Sequence, residues 1–216
     1  MRIVNASAEV ILPYGSWDEA RNTFYAMIEK AGRTCYKSES KINPSSSARF
    51  VRSIVEKGHE AMLEHAGMTV RFIVDRGVSH ELVRHRLASF AQESTRYCNY
   101  SQNKFGNEVT FIKPCFWAEN SAEYTAWKTA CEMAEEFYIR LLENGATPEQ
   151  ARCVLPNSLK TEVVMTANMR EWRHFFKLRA VGATGAPHPQ MKEVALPLLR
   201  SLQEKLPELF GDIERR

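Results

Sequence analysis

Apolar and polar residues alternate along several short stretches of the chain, and this pattern predicts β-strands. In Met68–Asp75, Val70, Phe72 and Val74 fall on one face of an extended segment. Three further strands are predicted: Met1–Leu12, Glu108–Lys113 and Leu159–Ala167. A β-sheet is therefore expected to form part of the core.

Other stretches repeat their apolar residues every three or four positions, which predicts amphipathic helices. Ser16 and Glu19 have the spacing of a capping box, and the helix that follows has apolar residues at Ala20, Phe24, Met27, Ile28 and Ala31. Further helices are predicted over Ala48–Lys57, Asn120–Asn144, Met169–Ala180 and Gln190–Leu206, with shorter ones beginning at Ser79 and at Thr147-Pro148. The longest of these helices, Asn120–Asn144, is expected to face the core with Ala130, Ala134, Phe137, Leu141 and Leu142.

The order of these elements predicts an α+β fold in which helices cover a mainly antiparallel sheet. The sequence contains no internal repeat, low-complexity tract or linker, so a single domain over residues 1–216 is the economical interpretation. Hydrophobic residues make up 44% of the chain and charged residues 25%, which is ordinary for a soluble globular protein.

Several classes of protein are disfavoured by composition. No apolar run approaches the roughly 18 residues that span a bilayer, and the segment MRIVNASAEVILPYG does not have the pattern of a signal peptide. None of the five cysteines forms CxxC, so disulfides and a zinc site are not expected. A cytoplasmic location is therefore expected. The net charge of +3 permits an anionic ligand without requiring nucleic acid.

The stretch Arg84–Tyr100, with the sequence RHRLASFAQESTRYCNY, concentrates the polar chemistry of the chain. On a helix, Arg84 and Arg86 would point about 200° apart, at about 100° per residue, so the stretch does not have the charge pattern of a packed helix. Basic residues that point in different directions indicate two anionic groups held side by side. The planar fork of arginine suits this task because it binds phosphate and carboxylate through paired hydrogen bonds.

The rest of the sequence lacks the common motifs for metal and dinucleotide binding. The two histidines of Gly58–His65 are six positions apart rather than the four of HExxH, so no metal is expected there, and a turn with solvated polar residues is an alternative. The chain has neither GxGxxG nor GxxxxGK[ST]. A dinucleotide must therefore bind through other groups, such as arginine side chains from several segments.

The Arg-rich stretch resembles the signature of the flavin-dependent thymidylate synthases. That signature is an Arg-His-Arg triplet, seven further residues and a serine, which here are Arg84–Arg86, Leu87–Glu93 and Ser94. Members tend to continue with one residue and then Arg-Tyr, as Arg96-Tyr97 does. The chain departs from the family at Ala91-Gln92, where members often carry Asn-Glu. Any role that needs a carboxylate at the Gln92 position is therefore not carried over.

Other segments resemble the same family in the same order along the chain. They are GHE…EH from Gly58 to His65, ARxVLP from Ala151 to Pro156, N-x-R at Asn168–Arg170, and Leu178-Arg179. The similarity covers roughly Gly58 to Gln190, and a weaker one lies in Gly32–Tyr36. Without the resemblance, Arg152 would be interpreted as a surface residue, and Arg170 and His174 as one solvated helical face.

The resemblance implies roles for individual residues. The residues implied in FAD binding are His59, Ala61, Arg84, His85, Arg86, Gln92, Asn168, Met169, Arg170 and His174. Those implied in binding the nucleotide are Glu81, Leu82, Val83, Arg84, Gln92, Glu93, Ser94, Thr95, Arg96, Arg152 and Arg179. Arg179 is implied beside the pyrimidine ring, with catalytic roles for Arg179 and Ser94.

The activity implied is methylation of deoxyuridylate (dUMP) to thymidylate in de novo thymidylate biosynthesis. Methylenetetrahydrofolate supplies the carbon, reduced FAD the hydride, and NADPH reduces the flavin. The resemblance also implies a homotetramer with shared active sites. Ser94 is interpreted as a hydrogen-bonding group that positions the nucleotide, with covalent attack as the alternative, because a nucleophilic serine needs a base within reach.

A binding module is the rival interpretation. In it, Arg84, Arg86 and Arg96 grip RNA or DNA while Tyr97 and Tyr100 stack on bases. The modest net charge and the scattered arginines favour the enzyme, and no nucleic-acid partner is expected.

Overall fold

Two sheets organise the chain, whose computed structural model describes residues 1–12, 15–102 and 106–213. The strands are β1 (Arg2–Val4), β2 (Ser7–Ile11), β3 (Gly67–Asp75), β4 (Ala88–Gln92), β5 (Thr110–Ile112) and β6 (Lys160–Asn168). A four-stranded antiparallel sheet has the order β2-β3-β6-β4. A second sheet pairs β1 with β5 in parallel, with Ile3 opposite Phe111. The predicted α+β fold with a mainly antiparallel sheet is confirmed.

The helices are α1 (Trp17–Tyr36), α2 (Ser46–Glu56), α3 (Arg76–Leu82), α4 (Ala122–Glu143), α5 (Pro148–Ala151), α6 (Met169–Arg179), α7 (Pro189–Lys205) and α8 (Pro207–Phe210). Short 3-10 turns occur at Glu39–Lys41, Glu60–His65 and Arg152–Val154. Among the described residues, no helix is both long enough and apolar enough to cross a membrane.

Local capping signals were predicted well. The Ser16 hydroxyl accepts a hydrogen bond from the Glu19 backbone, and Thr147 forms a complete capping box with Gln150. Lys37 follows the last residue of α1 as its C-cap. It takes the left-handed conformation at φ 48° and donates its backbone N–H to the Arg33 carbonyl.

Three predictions about elements were wrong. The strand predicted over Met1–Leu12 is two strands, because β1 pairs with β5 whereas β2 lies beside β3. The cap of α3 is Asp75, whose carboxylate accepts from the Val78 backbone at 2.7 Å, and Ser79 lies inside the helix. The predicted inward face of α4 is wrong at Ala130 and Phe137, which are exposed, whereas Leu141 and Leu142 pack against the core as predicted.

The face of α4 that packs inward carries Tyr124, Cys131 and Tyr138, whereas Ala130 and Phe137 are exposed. The predicted and observed faces overlap at Leu141 and Leu142, which pack against the same core cluster as Cys131 and Tyr138. They differ over the preceding turns, where the buried positions lie one residue later than predicted.

The contacts group the chain into two compact units. The first comprises Met1–Ser7, Phe72–Arg84 and Ala91–Val163, and its core contains Tyr100, Val109, Phe111, Cys131, Tyr138, Ala151 and Leu159. The second comprises Ala8–Arg71, His85–Phe90 and Val164–Arg216. Within it, Phe176 of the buried helix α6 packs edge-to-face against Phe210, and α1 packs on α2. The single-domain organisation stays a prediction.

The loop after α6 turns sharply at Gly182, which has φ 78°. A Cβ at this position would lie 2.8 Å from the Gly185 carbonyl oxygen, which is closer than any normal contact. Gly58 also has a positive φ, 69°, but nothing lies within 4 Å of a Cβ there. The two glycines therefore share a backbone conformation and differ in steric surroundings.

We expect Gly182→Ala to lower the free energy of unfolding more than Gly58→Ala. Both variants bear the cost of a left-handed alanine, about 1–2 kcal/mol, and only Gly182→Ala adds a collision with rigid backbone, about 1 kcal/mol or more. Urea denaturation of both variants measures the difference. Equal destabilisation would contradict the steric argument.

Candidate active site

Helix α6 carries several ionisable groups of the candidate site, and local sequence builds its first turn. The side-chain oxygen of Asn168 accepts a hydrogen bond of 2.9 Å from the Glu171 backbone N–H. The Trp172 indole N–H donates to the Met68 carbonyl in β3 at 3.0 Å. The helix is therefore anchored at its start by a cap and by a buried hydrogen bond to the sheet.

A hydrogen-bonded chain runs from Glu171 through His85 to Arg179. A carboxylate oxygen of Glu171 lies 2.8 Å from His85 Nδ1, and Arg179 Nε lies 3.2 Å from His85 Nε2. A guanidinium group only donates, so Nε2 is the acceptor and the proton of the imidazole is on Nδ1, directed at Glu171. His85 is therefore neutral in this arrangement and orients Arg179, the arginine expected beside the pyrimidine ring.

Burial reinforces the neutral state of His85. The residue is 4% exposed and Glu171 is 6% exposed. Burial lowers the pKa of the His85 imidazole below its ordinary value; the Glu171 carboxylate opposes this shift, while Arg179 and His174 add to it. With both ring nitrogens engaged, His85 has none left for the direct flavin contact that the resemblance implied.

Two other residues expected to bind flavin, Arg86 and Asn168, line one pocket of about 360 Å³ together with Gly67 and Thr166. Arg86 is exposed and has no ion pair within the described part of the chain. The Asn168 oxygen is used by the helix cap, so its amide N–H groups remain as donors. This pocket therefore offers donors that suit a ligand rich in acceptor oxygens.

The remaining residues expected near flavin have mixed surroundings. His59 and Ala61 are exposed at the 3-10 turn Glu60–His65, and the Tyr36 hydroxyl lies 3.5 Å from His59 Nδ1. Arg170 donates to Glu64 at 2.6 Å. His174 is exposed, whereas Met169 is fully buried.

A pocket of about 540 Å³ in the first unit gathers residues expected to bind the nucleotide. Arg152 and Thr95 line it, with Arg152 Nη1 3.2 Å from the Thr95 hydroxyl. Glu149 also lines it and accepts from Arg96 Nε at 2.8 Å. No acidic partner of Arg152 occurs in residues 1–12, 15–102 or 106–213. The structure thus brings Arg152 and Thr95 together, with Arg96 joined to the same pocket through Glu149.

Signature residues beside this pocket have internal partners. The Gln92 amide nitrogen donates to the Ser79 and Thr161 hydroxyls at 3.0 and 3.2 Å. Glu93 accepts from Lys160 at 3.0 Å and from the Tyr100 hydroxyl at 3.1 Å. Glu93 is therefore not placed as a base for its neighbour in sequence.

Ser94 and the end of α3 complete the predicted nucleotide set. The Ser94 hydroxyl accepts from the Arg96 backbone at 3.3 Å. Val83 and Arg84 are exposed, Glu81 is half-buried, and Leu82 is fully buried.

Comparison with known proteins decides the family. The family model described as thymidylate synthase complementing protein matches residues 20–208. The flavin-dependent thymidylate synthase of Corynebacterium efficiens is 34% identical over 211 residues, which cover 92% of this chain and 83% of that protein. The protein of the same description from Geobacter sulfurreducens is 31% identical over 194 residues, covering 87% and 81%.

This chain belongs to the flavin-dependent thymidylate synthase family. The predictions that it is a member and that it is an enzyme are confirmed. Its fold is similar to that of PolB from Streptomyces cacaoi, a UMP/dUMP methylase solved with 5-Br dUMP. That likeness has a TM-score of 0.76 at 23% identity and covers 98% of this chain and 96% of the other.

Glu171 is a residue of this family member that sequence analysis missed. It lies between Arg170 and Trp172, and its partner His85 is 86 positions away. An acidic residue among the apolar positions of a helix was the available signal, because a buried carboxylate needs a partner.

His85, Glu171 and His174 are placed as a metal site would need, since ligand atoms of the three residues lie within 4.8 Å of one another. Both nitrogens of His85 are already hydrogen-bonded, so an ion would have to displace Glu171 or Arg179 from the ring. We therefore interpret Glu171, His85 and Arg179 of this thymidylate synthase family member as a hydrogen-bonded relay.

We expect the protein to lose stability as the pH falls below about 6.5, the ordinary pKa of histidine. The folded pKa of His85 is lowered, so the unfolded chain binds the proton more readily; the stabilisation is present above that pH and is lost toward the folded pKa. Urea denaturation across this pH range measures the slope. The non-titrating control His85→Asn, whose amide keeps a donor toward Glu171, should have a shallower slope, and equal slopes would contradict the assignment.

Proposed function

We propose that this enzyme methylates dUMP to thymidylate and acts in de novo thymidylate biosynthesis, with methylenetetrahydrofolate as carbon donor and NADPH as reductant of FAD. The observation that carries the proposal is the orientation of the Arg179 guanidinium by a buried, neutral His85. The names of the relatives and the 5-Br dUMP bound to PolB support the choice of substrate.

Arg179 meets the main chemical demand of this reaction. Uracil C5 is a poor nucleophile, and it attacks an electrophilic carbon readily only when the ring carries extra negative charge, which is shared by the ring oxygens and N3. A guanidinium held in place beside the ring stabilises this charge without reorganisation, and a site of low dielectric strengthens the effect. Because His85 accepts from Nε, the planar guanidinium has a defined direction before the nucleotide binds.

The nucleotide phosphate is assigned to the pocket that contains Arg152 and Thr95. Arg152 lines this pocket without an acidic partner in the described ranges, as Arg76 does, and the Thr95 hydroxyl adds a hydrogen-bonding group. Arg96 would join them if the phosphate displaced its pair with Glu149. A dianionic phosphate competes well for such a pair because it accepts bidentate hydrogen bonds from arginine.

FAD is assigned to Arg86 and Asn168, because they line one pocket and have hydrogen-bond donors available there. His174 and Arg170 are assigned to FAD from the resemblance. FAD, once reduced, supplies the hydride that completes the methyl group. The protein contributes binding and orientation, through arginine side chains and the amide of a helix cap. His59 and Ala61 are assigned to the same ring system from the resemblance.

Ser94 is assigned a positioning role toward the nucleotide. Its neighbour Glu93 is engaged by Lys160 and Tyr100, so it does not serve as the base that a serine nucleophile needs. The proposal includes a cytoplasmic homotetramer of single-domain chains with shared active sites, and no metal.

An absorbance spectrum followed by a reoxidation assay tests the function. We expect the purified protein to have the absorbance of bound flavin, and NADPH should bleach it. Adding methylenetetrahydrofolate should reoxidise the flavin anaerobically only when dUMP is present, with thymidylate formed in equal amount. Reoxidation without thymidylate would contradict the proposed reaction.

We expect Arg179→Ala to lower thymidylate formation by about 10²–10³, the usual cost of losing a preorganised donor. Flavin content and NADPH-dependent flavin reduction should largely persist, because neither needs activation of the pyrimidine ring. If Arg179 only stabilises the C-terminus of α6, stability should fall by up to about 1 kcal/mol with little change in turnover.

Glu171 variants separate orientation from packing. Glu171→Ala removes the acceptor that holds the His85 tautomer, and a displaced Arg179 should cost up to about 10² in turnover. Glu171→Gln keeps an acceptor for Nδ1–H and should recover most of this loss. Equal turnover in the two variants would contradict the relay.

A further inference from the structure

A basic surface of the second unit lines a pocket of about 690 Å³. It is formed by the end of α1, the 3-10 turn Glu39–Lys41 and one face of α2. We call it the basic pocket and define it by Arg33, Tyr36, Lys41, Arg49, Phe50 and Lys57. His59 lies at the same pocket.

The charge of the basic pocket is one-sided. Among the residues that the structure describes, no aspartate or glutamate lines it. Arg33 is neutralised from beneath by the buried Glu29, 2.9 Å away, which also accepts from the Ser46 hydroxyl at 2.8 Å. Lys41, Arg49 and Lys57 have no ion pair within the described part of the chain. Three cations around one concavity raise the local concentration of anions.

The walls of the basic pocket are aromatic as well as cationic. The Arg33 guanidinium lies over the Phe50 ring, 4.7 Å from its centroid. Tyr36 is 60% exposed, which is unusual for a large aromatic residue, and its hydroxyl is directed at His59. A ligand that suits this lining combines an anionic chain with a flat ring.

The position of His59 relates the basic pocket to the proposed reaction. His59 is assigned near the flavin ring from the resemblance, and the Tyr36 hydroxyl joins it to the pocket wall at 3.5 Å. A co-substrate with its ring at His59 could therefore extend its anionic part toward Arg49 and Lys57. Two co-substrates of the proposed reaction have such a part: the carboxylate chain of a folate and the phosphates of NADPH.

We propose that the basic pocket binds the anionic extension of a ring-bearing co-substrate, through Lys41, Arg49 and Lys57. The inference rests on the proposed function for the identity of the co-substrate. The shared chemistry is a series of carboxylate or phosphate oxygens that meets unpaired cations beside an aromatic wall.

Binding to the FAD-loaded protein tests the proposal. The probes are folate with one or with five glutamates, and NADPH against NADH, each titrated by calorimetry. In the double variant Arg49→Gln/Lys57→Gln we expect about tenfold weaker binding of the more anionic member of one pair, as expected for losing a charge-assisted hydrogen bond. The less anionic member should lose less. The control Lys30→Gln, on α1 but outside the pocket, should bind all four probes like the wild type.

The pattern of loss identifies the anion. A loss confined to pentaglutamate assigns the carboxylate chain to the basic pocket, and a loss confined to NADPH assigns its additional phosphate. Unchanged binding of all four probes would overturn the proposal. If the double variant fails to fold, salt titration of the wild type replaces it: pentaglutamate or NADPH affinity must fall more steeply with salt than that of its partner, and parallel slopes overturn the proposal.

The failure of this inference is distinguishable from failure of the proposed function. Thymidylate formation by wild type alongside unchanged binding in the double variant would remove only the basic pocket. If binding depends on charge but the protein forms no thymidylate, the basic pocket is supported as an anion-binding site and the proposed reaction is contradicted.

Discussion

Two buried charges on helix α6 constrain much of the second unit. Glu171 and Arg173 are 6% and 2% exposed, although they flank the fully buried Trp172. Each needs a partner group that carries the opposite charge or forms a hydrogen bond with it, because an unpaired buried charge costs several kcal/mol. Glu171 is satisfied by His85. Arg173 is satisfied by a bidentate pair with Asp212 at 2.6 Å, by Glu60 at 3.2 Å and by the Leu209 carbonyl. One helix thereby fixes the signature loop, the 3-10 turn and the C-terminal segment.

The same constraint explains the arrangement of the Arg-His-Arg triplet. Its middle residue is drawn into the interior by Glu171, so the arginines on either side remain exposed. The structural requirement of one residue thus presents the other two to solvent. The proposed anion-binding loop is thus formed without a glycine-rich turn, and a buried carboxylate sets its direction.

Interactions that span a few residues could be predicted from the sequence. The Ser16 cap, the start of α5 at Thr147-Pro148 and the alternation of β3 all follow from physics within one turn or one strand. The buried face of α4 could be predicted only in part, because Ala130 with Phe137 and Cys131 with Tyr138 both have helical spacing, and only packing against the core selects between them. The Asp75 cap was missed because Ser79 is an equally good capping residue on local grounds.

Residues of the candidate site were predicted by resemblance, whereas their mutual geometry was not. The pairing of His85 with Glu171, and of Arg152 with Thr95, joins segments separated by 86 and 57 positions. No local periodicity reports such distances. The internal role of the Gln92 amide also needed the structure, since its partners Ser79 and Thr161 come from α3 and β6.

The left-handed conformation of Lys37 places backbone strain at the end of α1. A residue with a Cβ carries about 1–2 kcal/mol of strain in this conformation, and here it immediately follows Tyr36 in the wall of the basic pocket. Release of that strain by fraying would expose the amides near Arg33 to solvent exchange while dispersing the pocket wall. Occupancy of the pocket and fraying of the helix end are thus opposed, so a bound anion would slow hydrogen exchange along a turn of helix that it need not touch.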